Sequence, residues 1–126
     1  MTASIRERIK SRSTAPKKVV DDPDLGKVEL RGMSSGQLED FYDSLRIKGG
    51  SKVDDRRFRQ RYLARSIYDG GSLVYDPSKP EDIEELAALP LACVNRLFLA
   101  AQQINGEGAD AEGNSQPTDG GDSASA

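Results

Sequence analysis

The stretch Val28-Glu29-Leu30-Arg31-Gly32-Met33-Ser34-Ser35-Gly36-Gln37-Leu38-Glu39-Asp40-Phe41-Tyr42-Asp43-Ser44-Leu45 changes its hydrophobic period in the middle. Up to Arg31, apolar Val28 and Leu30 alternate with Lys27, Glu29 and Arg31, the period of two that marks a strand with one buried face. From Leu38 the apolar positions become Leu38, Phe41, Tyr42 and Leu45, the i, i+3, i+4, i+7 stripe of an amphipathic helix. Ser34 sits between the two regimes, three residues before Gln37, at capping-box spacing. A strand running almost directly into a capped helix predicts an α+β fold.

Working outward from that stretch, Lys17-Lys18-Val19-Val20 reads as a second short strand. Asp21-Asp22-Pro23-Asp24-Leu25-Gly26 is a dense set of turn residues that makes a hairpin with Lys27–Arg31. A two-stranded hairpin needs a helix on its apolar face. Residues 1–16 read as a flexible N-terminal segment. It includes a short basic helix over 4–12, with Ile5 and Ile9 on one side. Downstream, helices are expected over 34–47, 54–68, 80–88 and 90–104. Gly49-Gly50 stops the first, and Ser51 N-caps the second, which Asp69-Gly70-Gly71 ends. Residues 72–75 form an extended piece. Pro80 opens the third, with acidic residues in its first turn. Leu91, Val94, Leu97, Phe98, Ala101 and Ile104 trace the fourth, which Asn105-Gly106 caps. The expected fold class is therefore α+β, mainly helical, with a short β-hairpin packed on a small helical bundle. One domain covers residues 17–106, and a disordered acidic tail covers 107–126.

Composition bounds the chemistry. The chain has 126 residues, with 18 Lys and Arg, 21 Asp and Glu, one Cys, no His and no Trp. Without histidine there is no imidazole base or ligand, and a single cysteine builds neither a disulfide framework nor a multi-cysteine zinc site. No apolar run approaches the roughly 20 residues needed to span a bilayer, and charges run through residues 1–12, so a soluble cytosolic protein is expected. Residues 106–126 hold five carboxylates and no Lys or Arg. No Leu, Ile, Val or Phe follows Ile104. A segment so poor in apolar side chains cannot offset its chain entropy. It reads either as a solubilising tail or as an interaction segment. The near balance of charge in the rest of the chain argues against a dedicated nucleic-acid binder.

Two clusters invite a functional reading. Arg56, Arg57, Arg59, Arg61 and Arg65 fall within ten residues, interleaved with Phe58 and Tyr62. Three readings fit them: a solvated helix face, a patch for an acidic protein partner, or a nucleic-acid contact. Glu81, Asp82, Glu84 and Glu85 are accounted for by a charged first helical turn rather than a metal site. Cys93, in Pro90-Leu91-Ala92-Cys93-Val94, reads as a buried inert thiol. No pattern here reads as catalytic, so the expectation is a non-enzymatic protein without metal or cofactor.

Three stretches in order carry a resemblance. The first is Val28–Glu39, a strand ending in Arg and passing through Met33-Ser34 into an acidic helix. The second is Tyr62-Leu63-Ala64-Arg65-Ser66-Ile67-Tyr68-Asp69, followed by Gly70-Gly71-Ser72-Leu73-Val74-Tyr75. The third is Ile83-Glu84-Glu85-Leu86 through Asn95-Arg96-Leu97-Phe98 to Ile104-Asn105-Gly106. Their order over residues 17–106 resembles the tail assembly chaperones of long-tailed phages with non-contractile tails. Gly70-Gly71 departs from the longer acidic turn of that family. The resemblance implies a holdase that binds the tape measure protein, helps recruit tail tube subunits in the host cytoplasm and is absent from the finished virion. It also implies a form lengthened by frameshifting near the end of the reading frame. Partner-facing residues are expected among Leu38, Phe41 and Leu45, among Arg56, Arg57, Arg59 and Tyr62, and at Leu97 and Phe98. Two alternatives stay open: another phage morphogenesis or structural protein, such as a head-tail joining component, and a small nucleic-acid-binding regulator using the arginine-rich helix.

Overall fold

The computed structural model describes residues 4–12, 15–47 and 52–107. In chain order the elements are α1 (Ile5–Ser11), β1 (Lys17–Asp22), β2 (Gly26–Arg31), α2 (Ser35–Ser44), α3 (Phe58–Ala64), β3 (Ile67–Asp69), β4 (Ser72–Leu73), α4 (Pro80–Ala87) and α5 (Leu91–Ile104). The fold is α+β. The expected tail from residue 108 onward, the glycine stop at 49–50 and the Ser51 cap lie outside the described residues.

The β1–β2 hairpin forms where the turn residues place it, with Lys18 opposite Leu30 and Asp22 opposite Gly26. The Asp22 carboxylate accepts the N–H groups of Asp24 (2.9 Å) and Leu25 (3.2 Å), and Gly26 supplies the left-handed backbone, φ +79°, that closes the turn. The hairpin is half of a larger sheet. β3 pairs with β2 through Leu30–Ile67 and Glu29–Tyr68, and β4 pairs with β3, giving a four-stranded antiparallel meander in the order β1-β2-β3-β4.

That sheet corrects the expected helix over 54–68. α3 begins at Phe58, because Arg57 takes a left-handed conformation (φ 58°), and it ends at Ala64. Residues 67–69 leave the helix to cover the open edge of β2, whose backbone groups would otherwise lack partners. Gly70 and Gly71, expected as a helix stop, are the two central residues of the β3–β4 hairpin turn, at φ +61° and +90°. Both signs of φ suit a type I′ turn, which nearly demands glycine or asparagine.

α2 begins as expected. Ser34 Oγ accepts from Gln37 N (3.1 Å), and Gln37 Oε1 accepts from Ser34 N (2.9 Å). It ends at Ser44 rather than at residue 47. Ser44 Oγ donates to Phe41 C=O, and the chain turns back so that Arg46 bridges to Val53. α4 opens with Pro80 at its first turn. Its acidic residues serve the fold: Asp82 accepts the Asp76 N–H (2.7 Å), Glu85 the Tyr75 hydroxyl (3.0 Å), and Glu84 two bonds from Arg57.

α5 crosses both α3 and the sheet and buries Cys93, Val94, Leu97 and Ala101. The core also takes Leu30, Phe41, Leu45, Tyr62, Leu63, Ala64, Ile67, Ile83 and Leu86. The C-terminus of α5 is a Schellman motif. Gly106 N–H bonds to Gln103 C=O and Glu107 N–H to Gln102 C=O, with Gly106 at φ +76°. The described chain thus runs one residue past the expected boundary at 106. The motif turns Glu107 inward, where its carboxylate accepts from the hydroxyls of Tyr42 (2.8 Å) and Tyr62 (2.5 Å). Asn105 completes the latch. Its Nδ2 donates to Tyr62 Oη (2.7 Å), and its Oδ1 accepts from Met33 N (2.6 Å).

The latch leaves little room at Gly32. A Cβ there would lie 3.0 Å from Asn105 Oδ1, Ile104 Cγ2 and Pro16 Cγ. We expect Gly32→Ala to lower stability by about 1–3 kcal/mol through overpacking. Tyr62→Phe should cost a similar amount, about 1–3 kcal/mol, because it removes the two hydrogen bonds that the buried hydroxyl makes to half-buried Asn105 and Glu107. Urea unfolding midpoints check both. Unchanged midpoints would mean that the latch does not hold α5 in place.

Candidate partner-binding groove

An open groove of about 750 Å³ lies where α2 ends early and α3 starts late. Tyr42 and Leu45 from α2 and its C-cap form one wall. Val53, carried there by its bridge to Arg46, forms the outer end. Phe58 and Phe98 make the floor, Gln60 and Gln102 line it, and Asp55, Arg57 and Arg59 complete the lining.

The floor is rigid because it is part of an aromatic cluster. Phe58 stands 5.6 Å from Phe41 and 5.6 Å from Phe98, the latter edge-to-face. Tyr62 contacts Phe41 at 5.4 Å and Phe98 at 5.1 Å, both edge-on. Such pairs add about 0.5–1.5 kcal/mol each beyond their area. Burial, and then the Glu107 carboxylate, pushes the Tyr42 phenol up to about 12. The same two causes raise Tyr62 further. Both phenols therefore stay protonated as donors to Glu107 across the neutral range.

Of the residues singled out from sequence, the groove brings together Leu45, Arg57, Arg59 and Phe98. Phe41, Leu45, Tyr62 and Leu97 are core side chains with almost no exposed surface, which corrects the expectation that they face a partner. Leu45 touches the groove only at its base. Leu38 is half-buried against the core and lies away from the groove. Arg56 is exposed and lines a separate shallow pocket with Arg57 near α4. The long apolar stripe of α5, expected to be shared with a partner, is taken up by the protein's own core. Leu91 and Leu99 are the large apolar side chains that α5 leaves exposed.

The arginine cluster divides in the same way. Arg57 makes paired bonds of 2.8 and 2.9 Å to Glu84. Arg61 donates to the carbonyls of Asp54 and Arg56. Arg65 lies 4.8 Å over the Phe41 ring and donates to Arg61 C=O. Arg56 and Arg59 are the two that point outward without an ion pair among the described residues. Sequence reasoning missed Tyr42, Val53, Asp55, Phe58, Gln60 and Gln102 as groove residues. The Phe58 and Tyr42 positions were visible in the stripes, whereas Val53 reaches the site only through a bridge seven residues away.

A second cluster is structural. Asp22 is 4% exposed and accepts from Arg96 Nε (2.8 Å) and Nη2 (3.3 Å), while Arg96 Nη2 also reaches Asp24 (2.9 Å). Cys93 Sγ is 3.6 Å from Asp22. Asp22, Asp24 and Cys93 could converge on a cation, but the guanidinium already occupies that role for both carboxylates. Burial pushes the Cys93 thiol up, which makes it a poor ligand and a poor nucleophile. Among the described residues no helix is long and apolar enough to cross a membrane.

No family model matches the chain, and no curated protein and no solved structure matches it.

The Arg96 hydrogen bond holds the Asp22 carboxyl well below the usual carboxylate range. Its stabilisation is therefore fully present above the unfolded value, about pH 4, and is lost as pH falls from there toward the folded pKa. We expect the urea midpoint of the native chain to fall steeply below about pH 4. Asp22→Asn should start lower at neutral pH and lose less over the same acid interval. Parallel curves for the two proteins would show that this pair is not a source of the acid sensitivity.

Proposed function

We propose that this chain is a non-enzymatic phage tail assembly chaperone. It binds the tape measure protein, keeps it soluble and helps recruit tail tube subunits in the host cytoplasm, and it leaves before the virion is finished. The observation that carries the reading is the groove itself. A rigid aromatic floor of Phe58 and Phe98, walled by Tyr42 and Val53, is the kind of surface that takes the apolar stripe of a helix. A tape measure protein before assembly is a long helical chain with such stripes, which self-associate unless covered. Arg59 on the groove lining favours acidic residues beside the stripe, by charge complementarity.

The three sequence stretches that resemble the chaperone family also support the reading, because they meet in space. The link after the first, Gly32-Met33, is bonded to the end of the third, Asn105, and the start of the second, Tyr62, is bonded to both Asn105 and Glu107. Motifs that look separate along the chain form one latch.

Co-expression with the cognate tape measure protein tests the proposal. The full chain should keep that protein soluble and co-purify with it, and Val53→Asp with Phe98→Asp should abolish co-purification. Phe98 is half-buried, so a urea midpoint accompanies the binding result, and Val53→Asp alone separates lost binding from lost folding. A chain ending at Glu107 should fold as well as the full one, whereas a chain ending at Gly106 loses the Tyr42 and Tyr62 bonds and should unfold at lower urea. Failure of the native chain to bind or solubilise the tape measure protein, together with its presence in purified virions, would replace the chaperone reading with that of a structural component.

A further inference from the structure

On the other side of α2 a second cleft, of about 820 Å³, lies between α1 and the body of the domain. One wall is α1, a helix of seven residues with none of them buried. Ile5 and Ile9, spaced i, i+4, line the cleft yet remain 62% and 64% exposed. The opposite wall is Met33 and Tyr68. A helix this short is marginal in water. The Ser4–Glu7 capping box supplies its start, with Glu7 N–H donating to Ser4 Oγ and Ser4 N–H to Glu7 Oε1. Its two isoleucines remain mostly exposed along the cleft wall.

The cleft continues past Met33 and Tyr68 into a pocket of about 240 Å³ that ends at Leu73 and Arg65. Along this path the lining charge is mostly positive. Arg8, Arg12, Arg31 and Arg65 line it, against the single carboxylate of Asp40. Arg31 is partly engaged, bonded to Glu29 (2.6 Å) and stacked 4.6 Å over the Tyr68 ring. Arg65 is half-buried with no carboxylate partner among the described residues. Burial, with Arg61 as the second cause, lowers its pKa, so a carboxylate brought beside it would relieve an unfavourable charge.

We propose that this cleft binds an acidic, amphipathic segment of another protein, at a site separate from the aromatic groove. Apolar anchors of that segment enter between Ile5, Ile9, Met33 and Tyr68. Its carboxylates meet Arg8 and Arg12 at one end and Arg65 at the other. A lipid surface fits less well, because Ile5 and Ile9 line the inside of a cleft and do not form a convex outer face. The protein's own residues 107–126 are acidic but contain no Leu, Ile, Val or Phe to serve as anchors. This site stands whether or not the aromatic groove binds a tape measure protein, and the two are separated by substitution.

The test uses a fluorescent peptide of about 18 residues, with leucines at i, i+4 spacing flanked by glutamates, and a twin with lysines in place of the glutamates. Anisotropy with the full chain should show the acidic peptide binding at least about tenfold more tightly than its twin, with an affinity that falls as salt rises. Ile9→Ser, and Arg8→Glu combined with Arg12→Glu, should each weaken it about tenfold or more. Because α1 buries nothing, both variants should keep the native urea midpoint. Val53→Asp should leave peptide binding unchanged. Equal affinity for the two peptides, or no effect of the α1 substitutions, would overturn the proposal. So would tighter binding after removal of residues 108–126, which would make the tail the occupant. Capture of the chain by phosphatidylglycerol vesicles through Ile9, without peptide binding, would overturn it in favour of a lipid surface.

Discussion

The Tyr62 hydroxyl is enclosed in the core and has to be satisfied by protein groups. It donates to Glu107 and accepts from Asn105, whose own side chain reaches on to the Met33 N–H. An unpaired buried polar group costs about 1–3 kcal/mol, a large part of the stability available to a domain of this size. So the end of α5, the middle of α3 and the link between β2 and α2 are fixed relative to one another by one phenol. Gly32 suits that arrangement, because a Cβ on the link would press on the side chains of Asn105 and Ile104 at 3.0 Å. The Schellman turn follows too, since without Gly106 in its left-handed conformation Glu107 would point away from the two tyrosines.

The same constraint separates the aromatic residues into two roles. Phe41 and Tyr62 are held inside, edge-on to each other. Phe58 and Phe98 pack on them from outside and remain half-buried, because α3 starts only at Phe58 and leaves no further turn to cover the rings. The left-handed Arg57 that delays α3 is held by its two bonds to Glu84 on α4. The open floor of the groove thus depends on a polar contact on the opposite side of α3.

Elements with strong local signals were legible in the sequence. The Ser34–Gln37 cap, the turn residues of the first hairpin, Pro80 at the head of α4 and the stripe of α5 each place an element where the structure has it. β3 was not legible. Ile67, Tyr68 and Asp69 continue the helical pattern of Phe58, Tyr62 and Leu63, and only the unpaired edge of β2, a non-local demand, draws them into the sheet. Gly70-Gly71 did carry the hairpin signal, but after an apparent helix it reads equally as a stop. At the site, local pattern cannot distinguish an apolar stripe that is buried by the fold from one that is offered to a partner. Leu97 and Phe98 are adjacent in sequence, yet one is core and the other is groove floor. Val53 carries no signal at all, since its position depends on the bridge to Arg46.

Two sets of incompletely buried apolar side chains lie on the two sides of α2. Tyr42 looks into the aromatic groove with Val53, Phe58 and Phe98, while Gln37 and Asp40 border the arginine-lined cleft with Met33, Tyr68 and Leu73. The two surfaces share no lining residue. The wall between them is held at both ends, by the Ser34 cap at its start and by Phe41 in the core near its finish. Occupants of the two sites therefore need not compete for side chains, and a ligand on one face does not have to move α2 to admit a ligand on the other. A domain of this size cannot enlarge its core to bury both sets of residues. Taken together, the two proposed sites would let one domain hold two different chains on opposite sides of α2, a helix with an apolar stripe on one side and an acidic amphipathic segment on the other. The arginine-lined cleft would disfavour a basic helix by like-charge repulsion, whereas in the aromatic groove Arg57 is already paired with Glu84 and Arg59 is the lining cation left without an ion pair among the described residues.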